Sequence, residues 1–213
     1  MNAVSEVKLP NAEAKNEVRS EVSETLYRVA RPICKGVLGG FVRVRGRENV
    51  PQAGACIFCP NHVSNFDPVL IAMYAGTRHV RFLAKAELFE KKFVAKLIRA
   101  LGAFPIHRGQ RDMAAMRECF ALLKDGHALG VFPQGTRSSV ENPHPFENGA
   151  ALIALRARVP VIPVYVGGKI GIGHVVDLRF GAPVPLDDLY GKLDAASLDE
   201  ATRRTERAVW ALR

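Results

Sequence analysis

Apolar and polar positions along this chain switch between a helical period and a strand period. From Val22 onward, Val22, Leu26, Val29, Ile33 and Val37 recur at spacings of three and four, which marks one face of a helix. Arg28, Arg31 and Lys35 punctuate that face and Gly39-Gly40 end it, so the spacing predicts an amphipathic N-terminal helix. "FVRVRG" (41–46) alternates with period two and reads as a strand. After a polar loop come the apolar strand "ACIFC" (55–59), a short helix from Pro68 to Tyr74, and the strand "HVRFLA" (79–84). The alternation continues with a helix over 86–102, the strand "AFPI" (103–106) and a helix over 110–126 closed by Gly126. It then gives "HALGVF" (127–132), a helix over 147–157, the strands "VIPVYV" (161–166) and "VVDLRF" (175–180), and a closing helix over 198–212. Strands interleaved with helices predict an α/β fold: one domain, a central, mostly parallel sheet flanked by helices, and an amphipathic helical segment at the N-terminus. Residues 1–20 are polar and aperiodic and are expected to form a mobile tail, leaving 21–213 as the domain. The glycine-rich "GGKIGIG" (167–173) is not followed by a helix, so it reads as a connecting loop and not as a dinucleotide-binding turn.

Composition adds three constraints. First, the 213 residues fit a single domain, and no apolar run approaches the ~18 residues of a membrane span. With no apolar export segment near the start, the expectation is a cytoplasmic protein. Second, the net charge of +9 is uneven: residues 25–110 hold 14 basic and 4 acidic side chains, whereas 111–213 hold 13 and 12. That asymmetry points to an anionic partner, whether lipid surface, phosphate-rich substrate or nucleic acid. The near absence of aromatics among the basic residues argues against nucleic acid. Third, Cys56 and Cys59 form a CxxC, but no second ligand pair stands at zinc-site spacing, and a strand through "ACIFC" sends the two thiols to opposite faces. No metal or other cofactor is expected.

The stretch that carries chemistry is "PNHVSNFDPV" (60–69). His62 and Asp67, five residues apart, would lie about 140° apart on a regular helix, but a strand-to-helix turn can bring them together. Asp67-Pro68 also reads as a helix N-cap followed by an N1 proline. In "VFPQGTRS" (131–138), Gly135, Thr136 and Arg137 follow a strand directly, where backbone, hydroxyl and guanidinium can hold a phosphate. In an open α/β sheet, ligands gather on loops leaving the carboxyl ends of strands.

These stretches, in this order, resemble the glycerolipid acyltransferases typified by 1-acyl-glycerol-3-phosphate acyltransferase. Asn61, His62 and Asp67 match the first family motif, and Gly102 with Arg108 the second. Phe132, Pro133, Gln134, Gly135, Thr136, Arg137 and Ser138 match the third, and "VIPVYV" around Pro163 the fourth. The similarity runs from about residue 25 to the C-terminus. One departure stands out: Gln134 occupies the family's glutamate position. The resemblance implies a His62–Asp67 catalytic dyad, with Asn61, Gly102, Arg108, Gln134, Gly135, Thr136, Arg137 and Pro163 on the substrate side. Within that set, Arg108, Thr136 and Arg137 would hold the acceptor's phosphate.

It also implies an acyl-CoA or acyl-carrier protein donor and a lyso-phospholipid acceptor. An acyl thioester needs no further activation, so the missing element is a base for the hydroxyl; His62 can take that proton and Asp67 can fix its tautomer. The segment 86–102 carries Lys92, Lys96 and Arg99 beside Phe89, Phe93 and Leu97, a profile suited to an anionic membrane surface. The expected site of action is therefore peripheral, on the inner face of the cell membrane. The rivals are transfer to another lyso-lipid or to glycerol 3-phosphate, and a non-catalytic lipid-binding protein of the same fold. Because glutamine and glutamate have nearly the same shape, Gln134→Glu is expected to be tolerated, its main effect being the charge beside Arg137.

Overall fold

The structure is a computed structural model that describes residues 29, 32, 36, 40–76, 78–100, 102–106, 112–168 and 174–213. The 1–20 tail, nearly all of the N-terminal helix read from Val22 to Val37, Cys34 and Arg108 lie outside the described residues. Among the described residues, seven strands form one sheet in the order β1-β7-β6-β2-β5-β3-β4. They are β1 (Val42–Arg45), β2 (Cys56–Pro60), β3 (Val80–Lys85), β4 (Phe104–Ile106), β5 (Ala128–Gly130), β6 (Val161–Gly167) and β7 (Val176–Phe180). β6, β2, β5, β3 and β4 run in one direction. β7 turns back antiparallel to β6, and β1 lies parallel to β7 at the edge.

Among the described residues, five helices flank the sheet: α1 (Asp67–Tyr74), α2 (Lys92–Ala100), α3 (Met113–Lys124), α4 (Gly149–Ala157) and α5 (Ala195–Trp210). Two apolar cores result, one per face. On one side Leu70, Ile71 and Met73 of α1 pack on Phe58, Phe82 and Val164. On the other, Cys119 and Leu123 of α3, Ile153 and Leu155 of α4 and Ala201 of α5 pack on Ile57, Leu129 and Val161. Alternate strand residues therefore serve different cores. Cys56 lies in the first core and Cys59 in the second, as the strand reading of the CxxC requires.

Two elements depart from the pattern. The helix expected over 86–102 is broken into a 3₁₀ turn, Ala86–Phe89, and α2. The turn packs against β3, β4 and α2, so tertiary contact redirects the chain before the helix starts, and Arg99 returns to cover the Phe89 ring at 5.3 Å. β5 is shorter than "HALGVF", ending at Gly130. The Val131 N–H still donates to the Phe58 carbonyl at 2.9 Å, and the chain then leaves the sheet at Phe132.

Candidate active site

β2 and β5 are neighbours running the same way, so the loops that leave their carboxyl ends emerge side by side. Asn61 sets the exit from β2. Its side-chain amide donates to the Val166 carbonyl (2.8 Å) and accepts from the Val166 N–H (2.7 Å), copying one more rung of the β2–β6 ladder. His62 is then clamped by its backbone to the loop after β5. Its N–H donates to Gln134 Oε1 at 2.7 Å, and its carbonyl accepts from the Ser138 N–H at 2.9 Å.

The turn from His62 to α1 closes the five-residue gap. Asp67 Oδ2 accepts from the Val63 N–H (2.7 Å) and the Ser64 N–H (2.8 Å), and lies 2.8 Å from His62 Nδ1. Because a carboxylate only accepts, Nδ1 carries the hydrogen, and a neutral ring keeps its lone pair on Nε2. Nε2 has no partner among the described residues, while the His62 side chain retains 11% exposure against 1% for Asp67. The N-cap expectation for Asp67 needs correcting. Phe66 precedes the helix in αR conformation, Asp67 is its first residue, and the carboxylate folds back onto the turn instead of capping the amides ahead. Pro68 follows as the second residue of the first turn, one place later than the N1 position expected of it.

A cleft of about 740 Å³ reaches the dyad at Asp67, which helps to line it. Leu70, Val166 and Val176 give it apolar wall, and Arg137, Ser138 and Glu141 give it polar rim. Phe66, 62% exposed, stands at the entrance. Thr136 and Arg137 are exposed, at the end of the turn that Gly135 makes possible with φ of +65°. A cleft that is apolar within, with a guanidinium at its rim and a histidine–aspartate pair alongside, suits a substrate with a long apolar chain and an anionic head.

Not every residue singled out in the sequence lines this cleft. Gln134 is 3% exposed, and its amide is engaged by the protein: besides accepting from His62, it donates to Ser138 Oγ at 2.8 Å and to the His144 carbonyl at 3.0 Å. Gly102 ends α2 with φ of +85°, its N–H donating to the Arg99 carbonyl and the Ala103 N–H to the Ile98 carbonyl, both at 2.8 Å. It precedes the edge strand β4, and so lies at the amino end of the parallel strands, whereas His62 follows the carboxyl end of the central strand β2. Pro163 is buried within β6, beside Gly181 and away from the cleft lining. Lys92, Lys96 and Arg99 are exposed along α2. Burial pushes the Cys59 and Cys119 thiols up to about 12 and the Cys56 thiol to about 11, so none supplies a thiolate nucleophile near neutrality. Residue spacing did not reveal the aromatic contact of the site: the His62 ring lies over Phe132, centroids 4.1 Å apart. Phe132 was visible only as a motif letter, without a role.

Comparison with known proteins bears on this geometry. Residues 41–167 match the protein family described as Acyltransferase. The chain is 29% identical over 131 residues to 1-acyl-sn-glycerol-3-phosphate acyltransferase of Bacillus subtilis, covering 62% of this chain and 65% of that protein. It is 34% identical over 159 residues to the Streptococcus pneumoniae protein of the same name, covering 71% and 59%. The alignments thus span less than two thirds of either relative. Among solved structures, the 1-acyl-sn-glycerophosphate (LPA) acyltransferase PlsC of Thermotoga maritima superposes with a TM-score of 0.64 at 27% identity. That likeness covers 97% of this chain and 83% of the other.

Proposed function

The chain belongs to the acyltransferase family, and we propose that it moves a fatty acyl chain from an acyl thioester to the free hydroxyl of 1-acyl-glycerol 3-phosphate, giving phosphatidic acid. The observation that carries this reading is the His62–Asp67 pair, its 2.8 Å contact fixing the Nδ1–H tautomer beside a cleft rimmed by Arg137. As the acceptor oxygen attacks the thioester carbon, its proton passes to His62 Nε2. The C–O bond forms, the tetrahedral species collapses, the C–S bond breaks, and the departing thiolate takes the proton from the imidazolium. His62 is thereby returned neutral. Asp67 stays an anion throughout and offsets the charge on the ring. Arg137 and Thr136, with Arg108, hold the acceptor's phosphate, and the apolar wall takes acyl chain.

The donor is acyl-CoA or acyl-carrier protein. The protein works at an anionic membrane surface, on the inner face of the cell membrane, with the cations of α2 toward the lipid headgroups. No helix among the described residues is long and apolar enough to cross a bilayer. The test is a transfer assay of the purified protein with both donors against lysophosphatidic acid, lysophosphatidylcholine and glycerol 3-phosphate. Transfer fastest to lysophosphatidic acid is expected. Preference for the zwitterionic acceptor would replace the substrate named here and leave the reaction type standing.

A further inference from the structure

Hydrogen bonds hold His62 by its ring edge and its backbone, but none of them fixes the plane of the ring. A single Nδ1–H···Oδ2 bond lets an imidazole rock about that bond. Contact on the ring face is what remains, and Phe132 makes it, with centroids 4.1 Å apart and planes inclined by 32°. Phe132 rests in turn on Phe82, 5.8 Å away and inclined by 28°. The stack is founded on the sheet. Phe82 of β3 pairs in register with Gly130 of β5, and a Cβ at Gly130 would come within 2.1 Å of the Phe82 ring. The glycine therefore seats Phe82, Phe82 backs Phe132, and Phe132 backs the histidine.

We propose that Phe132 is a positioning residue for acyl transfer, holding the His62 ring plane and stabilising the imidazolium as it forms. The proposal rests on the reading of His62 as the general base. The face of a phenyl ring carries negative quadrupole charge and attracts a cation whose centre lies within about 6 Å. The 4.1 Å separation places the ring well inside that range. A neutral imidazole gains less from the same face, so the contact strengthens as the proton arrives, and only such differential stabilisation raises kcat.

Two kinds of variant of the full chain test this. Phe132→Leu keeps the bulk and removes the π face, with Phe132→Met as a second non-aromatic replacement should the leucine variant not fold; Phe132→Tyr keeps the face. The first readout is NMR of histidine-labelled protein, with His62 assigned by its loss in His62→Gln. The His62 ring protons should sit upfield in the wild type and in Phe132→Tyr, and lose that displacement in the non-aromatic variants. The second readout is steady-state kinetics with lysophosphatidic acid. Phe132→Leu should lower kcat about tenfold, with KM changed by less than about twofold, and Phe132→Tyr should recover most of the loss. Unchanged kcat in the non-aromatic variants, or equal losses in Phe132→Leu and Phe132→Tyr, would overturn the proposal. A wild-type protein that transfers no acyl group would instead overturn the acyltransferase reading.

Discussion

The side-chain amide of Gln134 lies between two backbone groups, the His62 N–H and the His144 carbonyl, and serves both. Only one orientation of the amide does so, oxygen toward His62 and nitrogen toward His144. A glutamate in its place could still accept from His62 but has no hydrogen to donate, leaving the His144 carbonyl facing a carboxylate oxygen. Ser138 Oγ, which now accepts from the amide, could turn its own hydrogen toward the carboxylate and donate; the carbonyl has no such option. The bond is only part-buried and His144 is exposed, so water can serve the carbonyl and the loss stays near the low end of about 1–3 kcal/mol. The near-isosteric shape of the two side chains therefore misleads, and the partners decide. Gln134→Glu is expected to lower the melting temperature and to reduce kcat/KM about tenfold, since the loop that moves is the one clamping His62. Thermal melts and steady-state kinetics on the same preparation check this; wild-type values for both would show that the His144 segment adjusts freely.

At the scale of elements, α2 gathers cations on its exposed side. Lys92, Lys96 and Arg99 follow one another at spacings of four and three and so share a face, while Ala95 is buried. The Arg203 and Arg204 guanidiniums of α5 contrast with them. Arg203 pairs with Glu200 at 2.6 Å, and Arg204 pairs with Asp188 at 2.7 Å and Glu200 at 2.8 Å. Those arginines hold Asp188 and Glu200 below the ordinary carboxylate range and are committed to the fold of α5. A lipid surface is therefore expected to read α2. Reversing Lys92 and Lys96 to glutamate should weaken vesicle binding by about 1 kcal/mol or more per residue, in a salt-dependent manner. The same reversal at the exposed Lys124, a lone basic residue in the last turn of α3, should change binding little. Sedimentation with anionic and zwitterionic vesicles measures both; equal binding to the two lipid compositions would remove α2's charge from the account.

For the molecule as a whole, the order of strands and helices was legible because both periods are local, and strand–helix alternation leaves few architectures open. Pairing direction was not: nothing within "VVDLRF" states that β7 runs antiparallel to β6. The break ahead of α2 also escaped, since helical periodicity in 86–102 cannot register the packing of Ala86–Phe89 against β3 and β4. Of the site, His62 and Asp67 could be read because a single turn joins them, whereas their support comes from Gln134, 72 residues away, and from Phe132. Folding supplies such contacts, and spacing along the chain does not. The central claim, that the fold exists to present His62 as a base to an acceptor hydroxyl, is tested most directly by the rate of acyl transfer to lysophosphatidic acid in His62→Ala, with circular dichroism confirming the fold. The account predicts a loss of about a hundredfold to ten-thousandfold in kcat with secondary structure unchanged. Transfer at close to the wild-type rate by a folded His62→Ala protein would contradict it.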